Sequence, residues 1–212
     1  MPLNGSLEAS SIYITLNTRR RAGTYVGLPL TQLLRSFLPN SVADLPKHWG
    51  LTLTDPHMKA AFHHANNLLG SWEYEEKVAK PDQSGTLVVL VLVGKAKNHS
   101  RIMEVIRGIP ADGSPSKRTG EFFTCRIWVK DVLVSLHERR EIVLPGTIDE
   151  LEKMAVKEGL QYTDLIADGR GAMVINKTPF QGATTINKPS CQVATIMNKS
   201  SCQGATVIDE HS

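Results

Sequence analysis

The chain has 212 residues, 41% of them hydrophobic and 21% charged, with a formal net charge of +3 at pH 7. That length holds one sizeable core and an extension, and the near-balanced charge argues against a nucleic-acid partner. Three cysteines make neither a disulfide framework nor a zinc spacing, and the opening MPLNGSLEASS lacks the basic and apolar segments of a secretory signal, so a reducing cytoplasmic setting is expected.

In chain order, residues 1–10 are expected to be disordered, and Ile12 to Leu16 reads as a short strand from its β-branched and aromatic content. The basic run Arg19-Arg20-Arg21 is too short for a nucleic-acid patch, and residues 29–38 read as a short helix stopped by Pro39, placed to cover a cleft as a lid. In KHWGLTL (47–53), Trp49, Leu51 and Leu53 alternate with His48, Gly50 and Thr52, so His48 faces away from the apolar set. Asp55-Pro56 is a turn signal, after which residues 60–67 read as an antiparallel strand that brings His63 or His64 beside His48. Residues 71–78 form the next strand, with Glu73 and Glu75 on one face where solvent is expected. The run Leu87 to Val93 is far shorter than the ~20 residues needed to cross a bilayer and reads as a buried central strand. A short helix is predicted over 98–107, a mobile loop over 111–120, and a last helix over 148–159, capped by Thr147 and stopped at Gly159.

Between the last two of these lies TCRIWVKDVLVSL (124–136), where Thr124 is a helix cap and Ile127, Val129, Val132, Leu133 and Leu136 give helical spacing with one broad buried face. Cys125 falls in the first turn, where the helix dipole and unpaired amides favour a thiolate over the ordinary thiol, whose pKa is ~8.5. A buried core thiol is the plainer account of a lone cysteine. Four of the seven histidines, however, fall between 48 and 64, and a thiol nucleophile needs one imidazole to take its proton and another polar group to orient that imidazole. No Cys-x-x-Cys, His-x-x-x-His or His-Glu-x-x-His spacing supports a metal, and no phosphate loop or GxSxG elbow is present.

The strand histidine in HWGL, a second histidine one strand later, and CRIWV at a helix start resemble the circularly permuted papain-like fold of the lecithin retinol acyltransferase group. Over residues 10–165, with IYITL, WEYEE and VLVGK in order, the chain is also similar to an uncharacterised family of small fungal proteins. The resemblance implies Cys125 as nucleophile, His48 as general base and His64, rather than His63, as the second histidine, with Asn67 three residues after it. Two departures stand out: the nucleophile lies in Thr-Cys-Arg-Ile rather than a polar Asn-Cys-Glu-His context, and His48 and His64 are further apart in sequence than the group's pair.

Beyond Arg170 the composition changes. INKTPFQGATT, INKPSCQVATI and MNKSSCQGATV, starting at Ile175, are three 11-residue repeats with Phe180, Cys191 and Cys202 at one equivalent position. They lack an apolar stripe and are too few to bury much surface, so residues 171–212 are expected to be a loosely extended tail.

The sequence thus predicts an α+β domain over 11–170, a mainly antiparallel sheet packed with a few helices in the permuted papain-like manner. Two functions follow: a cysteine-dependent hydrolase or acyltransferase acting through a thioester on an acyl, amide or peptide substrate without a cofactor or metal, or a catalytically idle papain-like module that binds a protein partner through its tail.

Overall fold

The computed structural model describes residues 3–18 and 48–177. These lie in a compact unit spanning residues 1–182; a second unit, 183–212, lies outside the described residues, as do the expected lid helix at 29–38, the Arg19 to Arg21 run and most of the repeats.

The described residues form an α+β fold with a six-stranded sheet and three α-helices. The strands are β1 (Ser11–Asn17), β2 (His48–Thr54), β3 (Ala60–Asn66), β4 (Glu73–Val78), β5 (Leu87–Lys95) and β6 (Met173–Ile175), in the order β4-β3-β2-β1-β5-β6. All neighbours are antiparallel except β5 and β6, which are parallel. The helices are α1 (His99–Gly108), α2 (Cys125–Glu138) and α3 (Ile148–Ala167).

The hairpin that carries the histidines is set by its turn. The Asp55 carboxylate accepts from the amides of His57 and Lys59, both at 2.8 Å, and Met58 takes a positive φ of 65° to close it. Strand β2 is buried on both faces rather than one: the polar positions are covered too, and Thr15 and Thr52 satisfy each other across β1 and β2 with hydroxyls 2.7 Å apart.

Helix α2 packs on β2 and β3. Its cap is the expected one, Thr124 Oγ1 accepting from the Ile127 amide at 3.1 Å. Burial goes further around the helix than the sequence spacing indicates, because Lys130 is buried as well. Its ammonium donates to Asp149 at 2.8 Å and Glu152 at 2.7 Å, and Arg126 also pairs with Glu152, so α2 is tied to α3 by charge as well as by packing. Trp128, fully buried, donates its indole N–H to the Ile109 carbonyl.

Four expectations are corrected. The stretch expected to be disordered, residues 1–10, has structure in its described part, 3–10: Asn4 bridges Met173, exchanging backbone bonds with Ala172 and Val174. The domain does not close at residue 170, because β6 adds to the sheet beside β5 and Asn176, in the first repeat, donates to the Ser6 carbonyl at 2.8 Å. Gly159 does not stop the last helix, which runs to Ala167; a glycine in mid-helix is a weak breaker, of about 1 kcal/mol, and the first turn is secured by a capping box between Thr147 and Glu150. The loop at 111–120 is anchored rather than loose, with Ser116 Oγ and Arg118 Nε both donating to Asp131 on α2 at 3.0 Å.

Candidate functional site

The start of α2 meets the start of β2. Cys125 is the first residue of the helix and is 5% exposed, and the Trp49 amide donates to its Sγ at 3.4 Å. This contact has a local cause. β2 is paired with β1 as far as His48, but with β3 only from Leu51 to Thr54, so at Trp49 the β3 side of the strand is open to the helix terminus. The sulfur therefore stands level with the sheet, against the residue next to His48. A backbone donor and a helix N-terminus both favour negative charge on it.

His48, Phe62 and His64 form a cluster of three rings. His48 Nε2 and His64 Nδ1 are 2.8 Å apart with the rings nearly perpendicular, at 88°. Beyond them, His64 Nε2 lies 3.1 Å from Glu75 Oε2, close enough for an ion-pair contact although the N–H is not squarely aimed at the oxygen. The carboxylate is itself held by Asn66 Nδ2 and Lys77 Nζ, each at 2.8 Å.

Proton placement follows from these neighbours. A carboxylate facing His64 Nε2 favours a proton there, which leaves Nδ1 as an acceptor. His48 must then donate from Nε2, and its Nδ1 carries the basic lone pair. Burial pushes the His64 imidazole down to about 4, helped by repulsion from His48 and opposed by Glu75, so His64 is neutral near pH 7.

The two adjacent histidines part company, as strand alternation requires. His63 is turned to the opposite face, where its Nδ1 lies 2.9 Å from the Tyr74 hydroxyl. Tyr74 donates to Glu76, which also accepts from Arg107 of α1. Burial lowers the His63 imidazole to about 4 against the attraction of Glu76, and burial raises the Tyr74 phenol to about 12.

Of the residues singled out in the sequence, Cys125, His48 and His64 are thus gathered near the start of β2. Asn67 is not among them: it is exposed in the β3–β4 turn. Glu75, expected to face solvent, is instead the carboxylate behind His64, 34% exposed at its side chain. The hairpin register held the signal for it: a turn over residues 67–72 sets His64 opposite Glu75 and Asn66 opposite Glu73.

An open groove of about 890 Å³ lies elsewhere, lined by Leu3, Leu7, Leu53, Met58, Val78 and His99 among others, and neither Cys125 nor His48 nor His64 reaches it. Among the described residues no three His, Cys, Asp or Glu side chains are grouped to hold a metal ion, and no helix is long and apolar enough to cross a membrane.

No curated protein and no solved structure matches the chain. A family model described as a family of unknown function (DUF6914) matches residues 43–164, more than half of the chain and a span that contains His48, His64, Glu75 and Cys125, and the chain belongs to that family.

Proposed function

We propose that the protein is a cysteine-dependent hydrolase or acyltransferase in which Cys125 is the nucleophile, His48 its base and His64 the residue that orients His48, in a domain of the permuted papain-like kind. The observation that carries the reading is the directed row from Glu75 through His64 to His48, ending beside the residue whose amide touches the Cys125 sulfur. Polar groups removed in part from water and arranged in one direction cost desolvation that apolar side chains would avoid, and proton transfer gives them a use.

The chemistry follows from the tautomers. His48 Nδ1 takes the thiol proton, and the thiolate attacks a carbonyl carbon of the substrate. The resulting oxyanion forms at the N-terminus of α2, whose positive dipole end favours the negative charge. Collapse expels an alcohol or amine that takes the proton back from His48, leaving an acyl group on sulfur. Water, or a second alcohol or amine, is deprotonated by His48 and attacks the thioester, and the thiol is restored. His64 stays neutral throughout, accepting from His48 Nε2, and Glu75 behind it favours the positive charge that builds on His48.

A second reading has an observation of its own: Cys125 and His64 are only 5% and 4% exposed, as in a packed core, which suits a catalytically idle module that binds a partner through its repeat tail. The two are separated by incubating the full chain with an activated phenyl ester and weighing the intact protein. The enzyme reading expects an acyl adduct that maps to Cys125, is absent in Cys125→Ser, and forms about tenfold more slowly in Glu75→Gln. A chain that is never acylated at Cys125 leaves the interaction module standing.

A further inference from the structure

The cluster of rings around His48 contains a side chain with no proton to transfer. Phe62 lies two residues before His64 on the same face of β3, stacked on it with centroids 4.6 Å apart and planes at 23°. It meets His48 edge-on at 6.3 Å and 69°. Its seat is Gly50: a Cβ at that position would fall 2.3 Å from Phe62 Cε2 and 2.9 Å from the His63 carbonyl oxygen. The ring therefore occupies the space that a side chain on β2 would otherwise fill, between His48 and Thr52 on that strand face. The backbone at Gly50 has no positive φ, so room for the ring, and not a special turn, is what glycine supplies here.

We infer that Phe62, seated on Gly50, is a positioning residue that holds the His48 and His64 rings in the one mutual orientation in which His48 Nε2–H donates to His64 Nδ1 and leaves His48 Nδ1 free to act as the base. The inference rests on the function proposed above and extends it. The His48 to His64 hydrogen bond joins two perpendicular rings, and a tilt of either ring would swing its nitrogen off the line between them. Stacking on Phe62 fixes the plane of the His64 ring, and the edge-to-face contact between Phe62 and His48 limits the tilt of the other. A branched aliphatic chain in its place would fill volume without presenting a plane. Residues that lock a catalytic hydrogen bond in this way act through geometry, where displacements of about 1 Å already cost rate.

The test uses the full chain carrying Phe62→Leu and, separately, Gly50→Ala, which disturbs the same ring from the other strand. The rate of Cys125 alkylation by iodoacetamide is followed from about pH 5 to about pH 9, spanning the ordinary imidazole and thiol ranges, with thermal midpoints alongside. We expect a loss on the order of tenfold near neutral pH, shrinking at the alkaline end where the thiol ionises unaided. We also expect the ¹⁵N shifts of His48 and His64 to change from a single tautomer at each ring to averaged values. A folded Phe62→Leu chain with the parent pH profile and unaveraged shifts overturns the inference, and if Gly50→Ala does not fold, Phe62→Leu decides alone. Failure of the proposed function looks different: in the parent chain itself Cys125 titrates as an ordinary thiol and His48→Ala leaves it unchanged, while the ¹⁵N shifts still report whether Phe62 fixes the rings.

Discussion

At the scale of single residues, the two adjacent histidines are both neutral near pH 7 for the same reason, burial, and both resist protonation until about pH 4. In the unfolded chain they titrate near ~6.5. Their folded values lie below their unfolded ones, so between those limits the unfolded state binds the extra protons and stability falls as pH falls. The loss amounts to at most roughly 3 kcal/mol for each ring. Urea midpoints measured down the window from about pH 6.5 to about pH 4 should drop steadily, and His63→Phe should flatten that slope. An unchanged slope would mean that His63 is protonated in the folded chain. Histidine, cysteine and their order were legible in the sequence because each is chemically distinctive. Glu75 and Phe62 were not, since a carboxylate on a strand face and an aromatic in a strand are ordinary until the register places them against an imidazole.

Among the elements, the strands and helices that carry the site follow from patterns their sequences show openly: alternation in HWGLTL, and helical spacing after Thr124. What the patterns hid was pairing. A three-residue strand, MVI at 173–175, is too short to announce itself, and it exists because β5 offers an edge for it to join. The stop expected at Gly159 failed because tertiary contacts override a weak local breaker. The cap of α2 is a more demanding feature, since Thr124 fixes both the helix start and the direction in which Cys125 leaves it. Thr124→Ala should cost about 1 kcal/mol of stability by chemical denaturation, and Thr124→Ser should recover most of it. No loss in Thr124→Ala would show that the packing of Trp128 and Leu133 sets the helix start without the cap.

For the molecule as a whole, the expected boundary at residue 170 cuts through the sheet. A chain ended there loses β6, the buried Ala172 and Val174, and the ladder that joins Asn4 to the same strand. Two buried side chains and a few strand hydrogen bonds make a loss of about 2–4 kcal/mol, or roughly 5–15 °C in a domain of this size. A chain ended at Gly182, where the compact unit closes, should melt within a few degrees of the full length. Equal midpoints for the two truncations would mean that β6 adds nothing to the sheet. The composition change near Arg170 was visible, but the first repeat begins inside the fold, at Ile175 of β6, so a boundary drawn from composition falls too early.

Whether Cys125 is an activated thiol can be read from its alkylation rate as a function of pH, with Cys191 and Cys202 of the same chain as reference thiols. Cys125 should react through an ionisation well below the ordinary ~8.5, and His48→Ala should slow it on the order of a hundredfold near neutral pH while leaving the reference thiols unchanged. A Cys125 that titrates like its two companions and ignores the loss of His48 would be a core thiol and no nucleophile.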